Sequence, residues 1–189
     1  MHKAMSLLAR LTSIIGGLVL TGLVVMTTLS IIGRSINEWL HSDWVEGTFG
    51  GIAQWFLDLG IGEVNGSYEL LEAGVAFAIF SFFPVCQLYS GHATVDIFTS
   101  RLPRPVGRGI SAFWEVVLAA ALILICVQLF GGVQRYLRNG ETTLFLQFPV
   151  WWAYSASFAA SVVTCIVAVY CALMRVAESL TGRPMMPVA

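Results

Sequence analysis

The sequence predicts an all-α membrane protein with four transmembrane helices and both termini in the cytoplasm. Its composition is the first evidence, because 57% of the 189 residues are hydrophobic, only 11% are charged, and mean hydropathy is +0.80. Soluble domains carry about 25% charged residues. Four separate apolar stretches are each long enough to cross a bilayer, which takes roughly 20 residues. The net charge of −1 gives no electrostatic reason to expect a nucleic-acid partner.

The four predicted spans lie at about residues 11–33, 68–89, 110–131 and 150–174. The first apolar run is longer than the roughly 7–15 residues of a signal peptide, and no A-x-A cleavage site follows it. We therefore expect this span to be a retained anchor. The whole chain, residues 1–189, is then expected to be one membrane domain.

The distribution of Lys and Arg predicts the orientation. Three positive residues fall on one side of a four-span protein, and seven fall on the other side, which the positive-inside rule makes cytoplasmic. The outer three are Arg34, Arg135 and Arg138, and the inner seven are Lys3, Arg10, Arg101, Arg104, Arg108, Arg175 and Arg183.

The loop at residues 37–67 faces outward in this topology and contains no Lys or Arg. Apolar residues recur there at helical spacing, which predicts a short amphipathic helix at about residues 48–60. This helix could lie at the outer membrane surface, pack on the bundle, or form a docking surface for an outside partner. Its apolar face comprises Phe49, Ile52, Trp55, Phe56 and Leu59.

Acidic residues open the second span. Glu69 and Glu72 are three residues apart, so a helix places them on one face, and Arg34 closes the first span at the same membrane end. Because a charge inside a bilayer is costly, we expect Arg34 to pair with one of these carboxylates and to fix the helix orientation. The alternative is a proton or ion site at Glu72. Glu115, early in the third span, could belong to a similar network or lie near the inner interface.

A hairpin is predicted between the third and fourth spans. Asn139-Gly140 is a strong turn signal, and Pro149 suits the first turn of the helix that follows. Trp151, Trp152 and Tyr154 then fall where an outer aromatic belt is expected.

Small residues recur every four positions along the fourth span, which is typical of closely packed helices in lipid. They could pack within this chain or against a partner. The two lines are Ala153, Ser157 and Ser161, and Ala156, Ala160 and Thr164.

Polar residues follow the second span. His92 and Asp96 are four residues apart, so a helix would place them on one face, next to Gly91. A metal site or catalytic pair is not favoured, because further ligands and a nucleophile motif are missing nearby. We expect them to tie the inner end of the span to the following loop or to a partner, and we expect no cofactor.

Three arginines, Arg101, Arg104 and Arg108, are expected to form a basic rim on the inner side of the membrane. They could contact anionic lipid headgroups, or they could serve only to set the topology.

Three segments together resemble a known family. "GHATVDIFTSRLP" is similar to the G-H-x-x-V-D-x-x-x-x-x-L-P pattern of the small permease subunit of tripartite ATP-independent periplasmic (TRAP) transporters. "NGETTLFLQFPVWWAYSAS" resembles that family's threonine, proline, tryptophan and tyrosine segment, and "SYELLEAGVAF" resembles its glutamate-containing second helix. By resemblance, Gly91, His92 and Asp96 belong to an inner signature. The outer hairpin signature comprises Thr143, Pro149, Trp151 and Tyr154.

The resemblance implies a non-enzymatic scaffold subunit in the bacterial inner membrane. Its partners would be a large permease subunit and a periplasmic substrate-binding protein, in sodium-driven uptake of carboxylates. Membrane lipids are further expected partners. The principal alternative is a small homo-oligomeric exporter that uses Glu72 for proton coupling, while a haem-bearing subunit is disfavoured by the three histidines.

Overall fold

Four long helices make up the fold. The computed structural model describes residues 2–41, 66–89, 91 and 104–181. Its helices are α1 (His2–Leu40), α2 (Ser67–Leu88), α3 (Arg104–Asn139) and α4 (Val150–Thr181). Each is long and apolar enough to cross a membrane, which confirms the predicted all-α, four-span architecture among the described residues. The predicted amphipathic helix at about 48–60 lies outside those residues.

The helices contact one another in the order α1, α2, α4, α3, so α2 and α4 are central and α1 and α3 form the two edges. Ala9 of α1, Leu88 of α2, and Val167 and Cys171 of α4 form one fully buried cluster. The start of α1 and the end of α4 therefore lie at the same end of the bundle, which we call the terminal end. The opposite end carries the α3–α4 connection, residues 140–149, and we call it the hairpin end.

Glycine allows α1 and α2 to pack closely. A Cβ atom on Gly16 would lie 2.5 Å from Cβ of Ser81, which is fully buried. Likewise, a Cβ atom on Gly74 would lie 2.5 Å from Cδ1 of Leu23. In lipid, where apolar contacts gain nothing over lipid tails, such close packing is a main source of helix association.

A proline inside α2 determines one contact with α4. Pro84 has no N–H, so the carbonyl of Phe80, four residues earlier, loses its helical donor. The hydroxyl of Thr164 on α4 supplies a replacement, with Oγ1 2.7 Å from Phe80 O and 3.0 Å from Ala160 O. Thr164 is 1% exposed, so water does not compete for this contact.

The small-residue lines on α4 pack mainly within this chain. Four of the six residues are buried, and the Ser161 hydroxyl lies 3.3 Å from the Cys126 sulfur of α3. Ala153 and Ala156 instead border cavities, which are described below. The buried four are Ser157, Ala160, Ser161 and Thr164.

Candidate functional site: a clamped hairpin and two neighbouring cavities

The connection between α3 and α4 is a compact hairpin. Gly140 has a φ of +65°, in the left-handed region that glycine tolerates, and its N–H donates to Tyr136 O at 3.0 Å. The Thr143 N–H donates to Phe148 O at 3.0 Å, and Thr142 and Pro149 form an antiparallel bridge. The turn predicted at Asn139-Gly140 is thus present, and Pro149 immediately precedes α4.

Glu69, on the first turn of α2, clamps the tip of this hairpin. The backbone N–H groups of Phe145 and Leu146 donate to its two carboxylate oxygens at 2.8 Å and 3.0 Å. Leu146 also packs over Gly66, where a Cβ atom would lie 2.5 Å from Leu146 Cγ. Leu144 and Phe145 remain 89% and 71% exposed at the tip. The start of α2 therefore positions the hairpin, through a contact between residues 76 and 77 positions apart.

Among the described residues, Arg34 pairs with Glu38 and not with Glu69 or Glu72 as predicted. Arg34 Nε lies 3.6 Å from Oε1 of Glu38 on its own helix, and both side chains are largely exposed. Residues four apart on a helix are close neighbours, so this pairing needs no second helix. Glu69 has taken the hairpin N–H groups, and Glu72 lines a cavity instead.

That cavity is an acidic cleft below the hairpin, between α2, α3 and α4, with a volume of about 510 Å³. Its lining includes three acidic residues, Glu69, Glu72 and Glu141. Glu141 also accepts a hydrogen bond from the Asn139 side chain at 2.9 Å. Three acidic side chains in one partly apolar cleft create a region that favours a cation.

Two tyrosines form the aromatic side of the acidic cleft. The rings of Tyr136 and Tyr154 lie 4.6 Å apart at 40°. Gly132 leaves room for this arrangement, because a Cβ atom there would lie 2.9 Å from two carbons of the Tyr154 ring. Arg135, the residue before Tyr136 on α3, is exposed. Of the other predicted belt residues, Trp151 and Trp152 pack edge-on, 6.1 Å apart.

A second cavity, which we call the apolar groove, lies between α1, α2 and α4 and has a volume of about 470 Å³. It is lined by apolar side chains and glycines such as Gly22, Met26 and Phe77. Ala73 and Ala153 line both the groove and the acidic cleft, so the two cavities are neighbours separated by small side chains. Sequence periodicity did not indicate either cavity, because each depends on how three helices diverge.

The terminal end holds a separate set of polar contacts. The fully buried Gln87 side chain donates to the Glu115 carboxylate, which joins α2 to α3. Arg175 and the buried Glu178 pair at 3.1 Å along α4. Glu115 therefore belongs to a network at this end. The sequence analysis did not single out Gln87 or Glu178. Gln87 could have been found, because an amide side chain inside an apolar run indicates a buried polar contact.

The remaining predicted site residues lie around this end. The Gly91 N–H donates to Cys86 O at 2.8 Å, just past α2, and Arg108 lies in the first turns of α3, which Arg104 begins. His92, Asp96 and Arg101 lie outside the described residues, so their predicted roles stay predictions. Within the described segments, no three His, Cys, Asp or Glu side chains are grouped as a metal site would require.

Replacing Glu69 with glutamine is expected to loosen the hairpin. The amide keeps only one acceptor oxygen and loses the charge that strengthens both hydrogen bonds. Hydrogen–deuterium exchange of the 141–149 segment should become faster, by roughly tenfold at Phe145 and Leu146. Glu38→Gln, at an exposed carboxylate of α1, is the matched control. Unchanged exchange in Glu69→Gln would contradict the clamp.

Comparisons with known proteins place these features in a family context. The family model for the DctQ component of tripartite ATP-independent periplasmic transporters matches residues 23–178. The matched stretch runs from the middle of α1 almost to the end of α4 and includes the hairpin, the acidic cleft and most of the groove lining. Comparisons with curated proteins and with solved structures found no match.

Proposed function

Because this chain belongs to the DctQ family of TRAP transporters, whose members are the small membrane component, we propose that it is a scaffold for the large permease subunit. The family is a transporter component and not an enzyme family. The four spanning helices make the chain a multi-pass membrane protein.

The observation that carries the scaffold proposal is the open order of the helices. Each edge helix has one principal neighbour, α2 for α1 and α4 for α3. Large apolar side chains on both edges stay exposed as a result, such as Leu18 on α1 and Trp114 and Leu124 on α3, which are 69%, 63% and 65% exposed. These faces are available to lipid or to another membrane subunit.

The internal contacts support a static role. The Gly16–Ser81 approach fixes α1 to α2, the Thr164–Phe80 hydrogen bond fixes α4 to α2, and Glu69 fixes the hairpin. Close-packed cores and buried hydrogen bonds resist continuous deformation. We propose that this chain stays fixed while the large subunit carries out transport.

The finer parts of the proposal rest on family resemblance and on charge. We propose a bacterial inner-membrane location with cytoplasmic termini, based on the excess of Lys and Arg at the terminal end. We further propose that a periplasmic binding protein delivers a carboxylate and that a sodium gradient drives its uptake. The binding protein would approach the hairpin end.

The test is an affinity purification of the full chain, tagged at its C-terminus, from gently solubilised native membranes. We expect a large multi-spanning permease in stoichiometric amount by mass spectrometry. An unrelated four-span protein with the same tag is the control. Recovery of the chain only with copies of itself would overturn the scaffold proposal and favour the homo-oligomeric exporter, for which Glu72→Gln should abolish transport.

A further inference from the structure

We propose that the acidic cleft and the apolar groove together form a binding site for one phospholipid with an amine headgroup, such as phosphatidylethanolamine. The inference requires only that the chain spans a bilayer, so it does not depend on the scaffold role. It starts from the different chemistry of the two neighbouring cavities. The cleft carries three carboxylates and two tyrosines, while the groove is lined by apolar side chains and glycines. A ligand that fills both must be amphiphilic.

The acidic cleft suits an ammonium group. Glu69 already accepts two backbone N–H groups, which leaves Glu72 and Glu141 to face a cation. The adjacent rings of Tyr136 and Tyr154 add the negative faces that attract cations.

Arg135 is the candidate partner for the headgroup phosphate. It is exposed on α3 and directly precedes Tyr136, which lines the cleft. An arginine there would contact a phosphate while the amine lies among the carboxylates. A phosphatidylglycerol headgroup has no positive charge and would add a negative one to the acidic wall. Charge complementarity thus selects the amine-bearing lipid.

The apolar groove suits an acyl chain. It extends along α1 from Ile15 to Met26, which is about 16 Å at 1.5 Å per residue. That length is about half of the roughly 30 Å hydrocarbon core, or one leaflet. Along α2 the groove covers Leu70 to Phe77, the half of the helix nearest the hairpin. The groove therefore lies toward the same membrane end as the cleft, and the small side chains of Ala73 and Ala153 border both cavities.

Gly22 offers a way to fill the groove without disturbing the fold. No heavy atom lies within 4 Å of a Cβ atom placed on Gly22, although this residue lines the groove. Gly131 on α3 is equally open but lies outside both cavities, so Gly131→Leu is the matched control for Gly22→Leu. The double variant Glu72→Gln and Glu141→Gln removes two carboxylate charges that are proposed to face the lipid amine. Glu38→Gln controls for the loss of an exposed carboxylate elsewhere.

The experiment is native mass spectrometry of the full chain, with whatever subunits co-purify, after addition of phosphatidylethanolamine or phosphatidylglycerol with identical acyl chains. We expect one retained phosphatidylethanolamine and a preference over phosphatidylglycerol of about tenfold or more. Gly22→Leu and the double glutamine variant should each lose that retention. Both control variants should keep it, and circular dichroism should show the same helix content in all five proteins.

Four outcomes would overturn the inference. Equal retention of the two lipids would show that the site does not recognise the amine headgroup. Full retention in Gly22→Leu would show that the lipid does not occupy the groove. Displacement by soluble glycerophosphoethanolamine would show a site for the headgroup alone. A photo-crosslinker at position 22 that reacts with a co-purifying subunit, and not with lipid, would assign the groove to a protein partner. The pull-down result is independent of the lipid measurements, because the retention of phosphatidylethanolamine, its preference over phosphatidylglycerol and the effects of the variants can all be measured on the chain without the large permease.

Discussion

Replacing Gly16 with alanine is expected to lower the free energy of unfolding by about 1–3 kcal/mol, the usual range for overpacking a tight contact. The added methyl carbon would lie 2.5 Å from Cβ of Ser81, where no two carbons can remain. Ser81 is fully buried and its hydroxyl is bonded to Phe77 O at 2.8 Å, so it has little freedom to move. The α1 and α2 helices must therefore separate.

The measurement is reversible unfolding of the purified chain in detergent micelles. Gly22→Ala is the matched control on the same helix, since its new methyl group meets no atom within 4 Å. Alanine has a helix propensity up to about 1 kcal/mol better than glycine, so the control should be neutral or slightly stabilising. Equal effects of the two substitutions would show that the α1–α2 contact is looser than described.

Replacing Thr164 with valine is expected to cost about 1–2 kcal/mol, near the upper end of values for hydrogen bonds between membrane helices. Valine has nearly the same shape but no hydroxyl, so the carbonyl of Phe80 would be left without a donor. Neither water nor the Pro84 nitrogen replaces it, because the site is buried and proline has no N–H. Thr164→Ser keeps the hydroxyl and should be close to the wild type.

A double-mutant cycle isolates this contact. Pro84→Ala restores an N–H that donates to Phe80 O within α2, so the Thr164 hydroxyl becomes redundant. In that background, Thr164→Val should cost much less than it does alone. If the two effects simply add, the Phe80 carbonyl is not the group that the hydroxyl serves.

The parts of the fold that follow from local chemistry were predictable from the sequence. Hydropathy predicted the four spans, although the helices run further at most ends, because polar termini continue the backbone hydrogen bonding. The turn at Asn139-Gly140 followed from the tolerance of glycine for positive φ. Pro84 could have been used as well, since a proline in an apolar helix predicts an orphan carbonyl four residues earlier.

The parts that depend on tertiary packing were not predictable from one sequence. The Arg34 prediction assumed that an intramembrane charge must find its partner across helices, but Glu38 was available one turn away. Glu69 found backbone donors in a hairpin that is far away in sequence. Neither cavity of the candidate lipid site is visible as a periodic pattern in the sequence. Alanines such as Ala73 and Ala153 are equally ordinary where helices pack and where they border a cavity.

The unequal lengths of α1 and α2 create a step at the hairpin end. The Ser30 hydroxyl lies 3.4 Å from that of Ser67, so the first turn of α2 is level with Ser30 of α1. Beyond that level α1 continues to Leu40, which is about 15 Å further at 1.5 Å per residue. This extension carries the exposed Arg34–Glu38 pair. The surface that α1 adds beyond the start of α2 is therefore partly charged, and it suits the polar headgroup region or water better than the hydrocarbon core.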